Sequence, residues 1–191
     1  LAVVVGYGPV GRTVVQLLTE NGLAPSVVEL NLETVRKLRQ TGIQAVYGDA
    51  TQPGTLVSAG IDRAVALILG AGNMTGAAEI IRLARDINPR LHGIARVNYL
   101  HEASNLKAAG ADVVLTGEGE VALGMTEWVL QVLGATGEQL ERERDRIRRE
   151  LFGGDLAVPP EEFRRKIAQA VETSSSPAQN DDTEMIEESQ N

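Results

Sequence analysis

Short β-branched runs alternate along this chain with segments whose apolar residues recur every three to four positions. Val3 to Val5 reads as a strand, and Val10, Val14, Leu17 and Leu18 form the apolar face of a helix ending at Asn21-Gly22. The pattern then repeats. Ser26 to Leu30 is a strand, Asn31 an N-cap, Val35 and Leu38 the inner face of a short helix stopped by Gly42, and Gln44 to Tyr47 a third strand. A second half follows, with a short helix over Gly54 to Ala59, a strand over Ala64 to Leu69, a helix from Thr75 to Ile87 stopped by Asn88-Pro89, and a strand over Leu91 to Val97. A helix from Tyr99 to Ala109, closed by Gly110, leads to a last strand, Val113 to Leu115. Parallel strands joined this way need right-handed crossovers, which cover both faces of the sheet. The expected fold is α/β: a Rossmann-like doubly wound six-stranded parallel sheet in the order 3-2-1-4-5-6, with a C-terminal helical extension.

Beyond the sheet, Val121 to Leu133 forms one more apolar helix, with Leu123, Trp128 and Val132 among its candidate buried residues. Glu138 to Leu151 mixes five acids with five arginines, the pattern of a solvated helix or of one lying between subunits or domains. A further charged helix is expected from Pro159-Pro160 to about Val171, and the low-complexity acidic stretch from Thr173 to Asn191 is expected to be disordered.

Composition narrows the chemistry. With 191 residues of which 43% are hydrophobic, the chain can build a real core. It has no Cys and two His, which excludes disulfides, thiolate chemistry and zinc sites of the Cys/His kind. No apolar run approaches the roughly 20 residues of a spanning helix. The net charge of −8 includes −5 from Asp181, Asp182, Glu184, Glu187 and Glu188, so the rest carries −3. It shows no basic stripe interleaved with aromatics, and nucleic acid is not an expected partner. Leu1 is not Met and lies two residues before a buried-looking strand, so the chain is expected to belong to something longer.

The candidate chemistry lies at the start, in Gly6, Tyr7, Gly8, Pro9, Val10 and Gly11. A GxGxxG between a strand and a helix, with an acid at the end of the next strand, is a nucleotide-binding signature. Gly6 permits the tight turn, Gly8 lets the backbone approach a phosphate, Gly11 lets the helix pack on the strand, and Pro9 sits where a missing N–H costs little. The helix terminus offers free N–H groups and about half a positive charge. Glu29, 18 residues past Gly11 and followed by Leu30 and Asn31, can accept from a ribose diol and would repel a 2′-phosphate. That favours NAD(H), AMP, ADP or ATP over NADP, and does not distinguish among them. Asp49-Ala50, past the third strand, either reaches the adenine side of the crevice or caps the next helix. Gly70, Ala71 and Gly72 end the fourth strand and leave room for phosphate or ribose, while Arg96 either faces a phosphate or pairs with a surface acid.

The stretches GYGPVGR, VVELN, VYGDAT, IARV and KAAGADVVLTGEGEVALGM together resemble the RCK (regulator of K⁺ conductance) domain, also called KTN or TrkA-N. The resemblance covers Leu1 to Leu133 and is most similar to the cytosolic C-terminal domain of Kef-type monovalent cation (potassium):proton antiporters. It implies a regulatory module at the cytoplasmic face of the membrane, fused N-terminally to a transport domain, that binds NAD(H) or an adenine nucleotide. It also implies a homodimer paired through Val121 to Leu133. By position, Gly6, Gly8, Val10 and Gly11 would hold phosphate, Glu29 the ribose and Asp49 the adenosine end, with Arg96 at the family's basic position. The implied organisation is a nucleotide-binding domain over 1–135, a charged helical extension over 136–172 and an acidic tail over 173–191. The family's Pro-Glu after the last strand is here Gly117-Glu118, which implies a more flexible backbone and leaves Glu118 as a candidate ligand- or cation-linked carboxylate.

An oxidoreductase would need a substrate pocket and an acid or base besides its cofactor. His92 begins a strand, His101 lies early in a helix, and no GxSxG, GxxxxGK[ST] or HExxH occurs. The expectation is therefore a sensor without catalysis. The alternatives are an NAD-dependent Rossmann oxidoreductase and a dimerising scaffold that binds nothing.

Overall fold

Apolar runs of four to six residues, each released by a glycine or a helix cap, fold as strands of one sheet with helices between them. The computed structural model describes residues 1–152 and Arg165. It runs β1 (Ala2–Val5), α1 (Pro9–Glu20), β2 (Pro25–Glu29), α2 (Leu32–Gln40), β3 (Gln44–Tyr47), α3 (Pro53–Ser58), β4 (Ala66–Leu69), α4 (Ala77–Ile87), β5 (His92–Val97), α5 (Ala103–Ala108), β6 (Val113–Thr116), α6 (Gly117–Val132) and α7 (Gly137–Phe152). Short 3-10 turns occupy Ile61–Arg63 and Leu100–Glu102. The charged helix expected after Pro159-Pro160, Arg165 apart, and the acidic stretch from Thr173 lie outside the described residues.

The sheet is parallel throughout, in the expected order β3-β2-β1-β4-β5-β6. Central β1 pairs on both sides, Val4 facing Val27 of β2 and Ile68 of β4, and all four of its residues are buried. The period-2 alternation sends Val3 and Val5 to one face and Val4 to the other. Val3 and Val5 join a cluster with Leu56, Ile80 and Leu106 of α3, α4 and α5, whereas Val4 packs with Val15, Val35 and Leu38 of α1 and α2. Burying one such side chain contributes about 1.5–3 kcal/mol.

Side-chain caps set several helix limits. Asn31 accepts from the Thr34 N–H at 3.0 Å, and Asn88, at the end of α4, donates to the carbonyls of Ile61 and Ala64 at 2.9 and 2.8 Å. Two expectations need correction. The stretch from Tyr99 to Ala109 divides into a 3-10 turn and α5. The helix expected from Val121 starts at Gly117, because Thr116 caps it: its Oγ1 accepts from Gly119 N–H at 3.1 Å. Gly117 and Glu118 are therefore helical.

Burial along α6 also departs from expectation. Leu123 is 4% exposed, but Trp128 is 67% and Val132 66% exposed. At 3.6 residues per turn, Val121, Met125, Trp128 and Val132 fall within about 60° of arc, across the helix from Leu123. The flank bearing Glu127 and Leu130 is taken by α7, through an Arg144–Glu127 ion pair of 2.6 Å and half-buried Leu140 and Ile147. Thr136 and Gln139 start α7 with reciprocal backbone bonds.

Replacing Asn88 by Ala removes the donor to two carbonyls at the base of β4, a loss expected to cost about 1–2 kcal/mol. A urea titration should show a lower midpoint with an unchanged slope; an unchanged midpoint would count against this staple.

Candidate functional site

Three glycines bring α1 into contact with the sheet. Gly6, with φ +88°, turns the chain out of β1. A Cβ on Gly11 would fall inside the carbonyl of Gly6, and one on Gly70 would lie 3.3 Å from Gly11 Cα and 3.4 Å from Gly6 O. Gly70 thus serves the approach of α1 to β4. Gly8 differs from all three. It is the N-cap of α1 in extended conformation, its side chain position is exposed, and a Cβ there would meet no atom within 4 Å. The chain itself puts no steric demand on Gly8; the open space lies over the helix terminus. Pro9 occupies the first turn, and the first helical bond runs from Arg12 N–H to Gly8 O at 2.9 Å. The amides of Val10 and Gly11, which precede it, have no carbonyl one turn back to bond.

Glu29 faces this turn. Its Oε2 accepts from Tyr7 N–H at 2.8 Å, and its Oε1 accepts from Leu30 N–H at 2.8 Å and Asn31 N–H at 3.0 Å. Three backbone donors fix a half-buried carboxylate at the carboxyl end of β2 and tie it to the glycine turn. Its two oxygens together offer about four acceptor sites, so at least one is left for a hydroxyl donor. Leu30 and Val10 are exposed beside it, and Tyr7 is half-buried against the cluster around Val15.

Asp49 is exposed, past β3. Its Oδ1 accepts from Thr51 N–H at 2.9 Å, and the bonds from the Thr51 backbone and hydroxyl hold its carboxyl below the ordinary aspartate range, so it is ionised at neutral pH. It is not the cap of α3; that position is Gln52, without a side-chain bond. Ala50 is buried in the core.

Across the switch point between β1 and β4, Ala71 and Met74 face Gly6. The room expected at Gly72 is filled: a side chain there would collide with the Asn98 amide and lie 3.4 Å from Arg96 Cζ. Arg96 Nη2 donates to Asn98 Oδ1 at 3.5 Å, and the Asn98 Nδ2 donates to Asn73 Oδ1. Among the described residues no carboxylate forms an ion pair with Arg96. Glu118 accepts from Leu100 N–H at 3.0 Å through Oε2, and among the described residues no three or more His, Asp or Glu gather as metal ligands. His92 lies at the amino end of β5, 3.6 Å from Asp112 Oδ2 and opposite the end that carries Arg96. His101 stacks on Tyr99.

The structure therefore brings Gly6 to Gly11 together with Glu29, Leu30 and Asn31, and sets Gly70, Ala71, Gly72 and Arg96 on the other side of the switch point. Asp49 and Ala50 stand beside the first group, past β3. Sequence reasoning missed Asn98 and Asn73. The one signal was a polar residue directly after the alternating strand Gly93 to Val97.

An open parallel sheet whose switch point bears a glycine turn and an acid on the second strand defines a Rossmann-type nucleotide-binding fold. The TrkA-N domain model matches residues 2–117, and the chain belongs to that family. The candidate cation/proton antiporter YbaL of Escherichia coli (strain K12) is 36% identical over 126 residues, 66% of this chain and 23% of that protein. The candidate K⁺ efflux antiporter KefB of Alkalimonas amylolytica is 24% identical over 192 residues, 97% of this chain and 29% of that protein. The chain thus spans about a quarter of the length of these curated relatives. The crystal structure of the TrkA-N domain of YbaL superposes with a TM-score of 0.64 at 35% identity, covering 66% of this chain and 94% of that one. The AMP-bound Kef CTD of Shewanella denitrificans has a TM-score of 0.63 at 21% identity, covering 89% and 97% respectively, and shares the fold.

The glycines separate by substitution. Gly11→Ala forces a methyl onto the Gly6 carbonyl, an overpacking expected to cost about 3 kcal/mol. Gly8→Ala, with open space above it, should cost about 1 kcal/mol or less. Equal thermal destabilisation by the two variants, followed by circular dichroism, would sink this distinction.

Proposed function

We propose that the chain is the nucleotide-binding regulatory domain of a monovalent cation (potassium):proton antiporter, with an adenine nucleotide as its signal. One observation carries the reading. The N-terminus of α1, open at Gly8, lies beside a carboxylate, Glu29, that backbone amides already hold at the end of β2. A phosphate at the first turn gains N–H donors and the helix dipole. A ribose diol one step further donates to Glu29.

In this reading Gly6 to Gly11 hold the phosphate, Glu29 with Leu30 and Asn31 the ribose, and Asp49 the adenosine end, with the core-buried Ala50 beside it giving no side chain to the ligand. Gly70, Ala71 and Gly72 border the site across the switch point, where Arg96 supplies a cation. AMP, ADP, ATP and NAD(H) all offer an unmodified adenosine ribose; NADP carries its extra phosphate where Glu29 carries its charge. The AMP in the Kef CTD of S. denitrificans supports this ligand class, and the antiporter names of YbaL and KefB support the transport assignment. Residues 1–135 are then the nucleotide-binding unit and α7 begins its charged extension. Two copies pair through the exposed stripe of α6, and the transport domain is fused N-terminally at the cytoplasmic face of the membrane.

The domain senses and does not catalyse. Neither His stands among the residues around the glycine turn, and a signal needs only different affinities in two states, since equal affinity shifts nothing. A coupling of about 1–3 kcal/mol would alter transport 5- to 150-fold.

Isothermal titration of the purified chain should show binding of AMP or NADH, much weaker binding of NADPH, and a loss of about tenfold or more, roughly 1.4 kcal/mol, in Glu29→Ala. NADPH binding as tight as NADH would remove Glu29 from the ribose. Transport by a full-length protein that ignores a nucleotide its domain binds would overturn the sensor, and steady NADH oxidation with a small substrate would replace it with an enzyme.

A further inference from the structure

One residue touches both the cation of the crevice and the helix that carries the exposed stripe. Asn98 follows β5 at the carboxyl edge of the sheet. Its side chain receives Arg96 Nη2 at 3.5 Å and donates to Asn73 Oδ1, beyond β4. Its backbone carbonyl accepts the Glu118 N–H at 3.0 Å, inside the first turn of α6. That turn is fitted closely to this segment. A Cβ on Gly117 would lie 3.3 Å from Asn98 O and 3.6 Å from Asn98 Cα, and the Glu118 carboxylate returns to the Leu100 N–H at 3.0 Å. Gly72 is bare where the Asn98 amide lies, so a side chain at that position, past β4, would displace it.

We propose that Asn98 is the positioning residue through which the state of Arg96 reaches α6. The inference rests on the nucleotide-sensing reading above and adds to it the internal route. The bonds differ in strength in the direction the route needs. The Arg96–Asn98 bond, at 3.5 Å, is at the outer limit of hydrogen bonding. A guanidinium–phosphate contact pairs two opposite charges, is shorter and can be bidentate, whereas the amide oxygen of Asn98 is neutral. A phosphate oxygen in reach of Arg96 therefore wins the guanidinium, and Asn98 Oδ1 loses its donor. Asn73 then holds the amide alone.

What moves Asn98 moves α6. The Glu118 N–H and the bare Gly117 seat the helix on the Asn98 carbonyl, and Thr116 Oγ1 ties the same turn to the end of β6. Sixteen helical residues make a rod about 24 Å long. A small shift at its first turn is therefore magnified along Val121, Met125, Trp128 and Val132. Losing the Arg96 bond loosens the first turn, which becomes the difference between the two states that a ligand must have to act as a signal.

Hydrogen exchange on the 191-residue chain, with AMP and with NADH as probes, tests this. The nucleotide that slows exchange at Tyr7 to Gly11 should speed it at Glu118 to Glu120 by about fivefold, the low end of ordinary coupling. In Asn98→Ala the same nucleotide should bind within about threefold of wild type and protect the glycine turn. Exchange at Glu118 to Glu120 should then be fast already and respond by less than about twofold. Asn73→Leu, which leaves the amide with Arg96 alone in the free protein and with neither partner once nucleotide is bound, should enlarge the response by about twofold and serves if the first variant folds poorly. Protection of the glycine turn with no change at α6, or a wild-type response in both variants, overturns the route and leaves the sensing reading intact. Protection nowhere by either nucleotide overturns the sensing reading, and the route with it.

Discussion

The site depends on how closely the first turn of α1 approaches β1 and β4. Gly11 lies against the carbonyl of Gly6, and Gly70 lies against Gly11, so three backbones meet where side chains would hold them apart. The contact is between backbone atoms, which cannot yield as the end of a flexible side chain can. Everything at the crevice follows from it. The terminus of α1 is brought to the carboxyl edge of the sheet, Gly8 opens outward, and the Tyr7 N–H is turned toward β2. An ordinary core substitution loosens packing at one place, whereas a methyl at Gly11 would tilt the helix that presents the amides of Val10 and Gly11.

Charge is arranged in the same economical way. A free glutamate keeps several rotamers, and ordering it costs up to about 2 kcal/mol. The amides of Tyr7, Leu30 and Asn31 have already selected one for Glu29, so a hydroxyl ligand meets an acceptor in place, which is how preorganisation raises affinity. Arg96 is the opposite case. Its bond to Asn98 is long, and among the described residues no carboxylate pairs with it. The acid is fixed and the base is movable. In a sensor the fixed group suits recognition and the movable group suits response.

The strands and their order were legible because each apolar run has the length of a strand and β1 is bounded by Gly6 at once. The glycine turn and Glu29 were legible because their partners are near in sequence or at a fixed spacing. Asn98 was not, because its role arises where positions 73, 96 and 118 converge, and no local period reports a contact between the ends of β4, β5 and β6. The start of α6 was hidden by Gly117 and Gly119, poor helix formers whose cost of about 1 kcal/mol each is offset by the Thr116 cap and by Glu118 and Glu120 in the first turn. Trp128 and Val132 were read as buried because periodicity identifies an apolar face without saying what covers it.

That uncovered face constrains any assembly. α6 has three sides: Gly119 and Leu123 go to the domain, the flank of Glu127 goes to α7, and the third carries Val121, Met125, Trp128 and Val132. Their spacing of four, three and four is that of a coiled-coil seam, whose knobs fit the matching holes of a like helix. The charged α7 cannot turn over to cover the stripe without giving up the Arg144–Glu127 pair and the burial of Leu140 and Ile147. On the dimer reading, a second copy supplies the missing side. On that reading the helix that would meet the partner begins on the Asn98 carbonyl, so the interface and the crevice would share one element. A helix held rigidly by its own domain would pair well and report nothing. One whose first turn rests on the Asn98 carbonyl, the Leu100 N–H and the Thr116 hydroxyl can pair and still respond to a change at one of those ties.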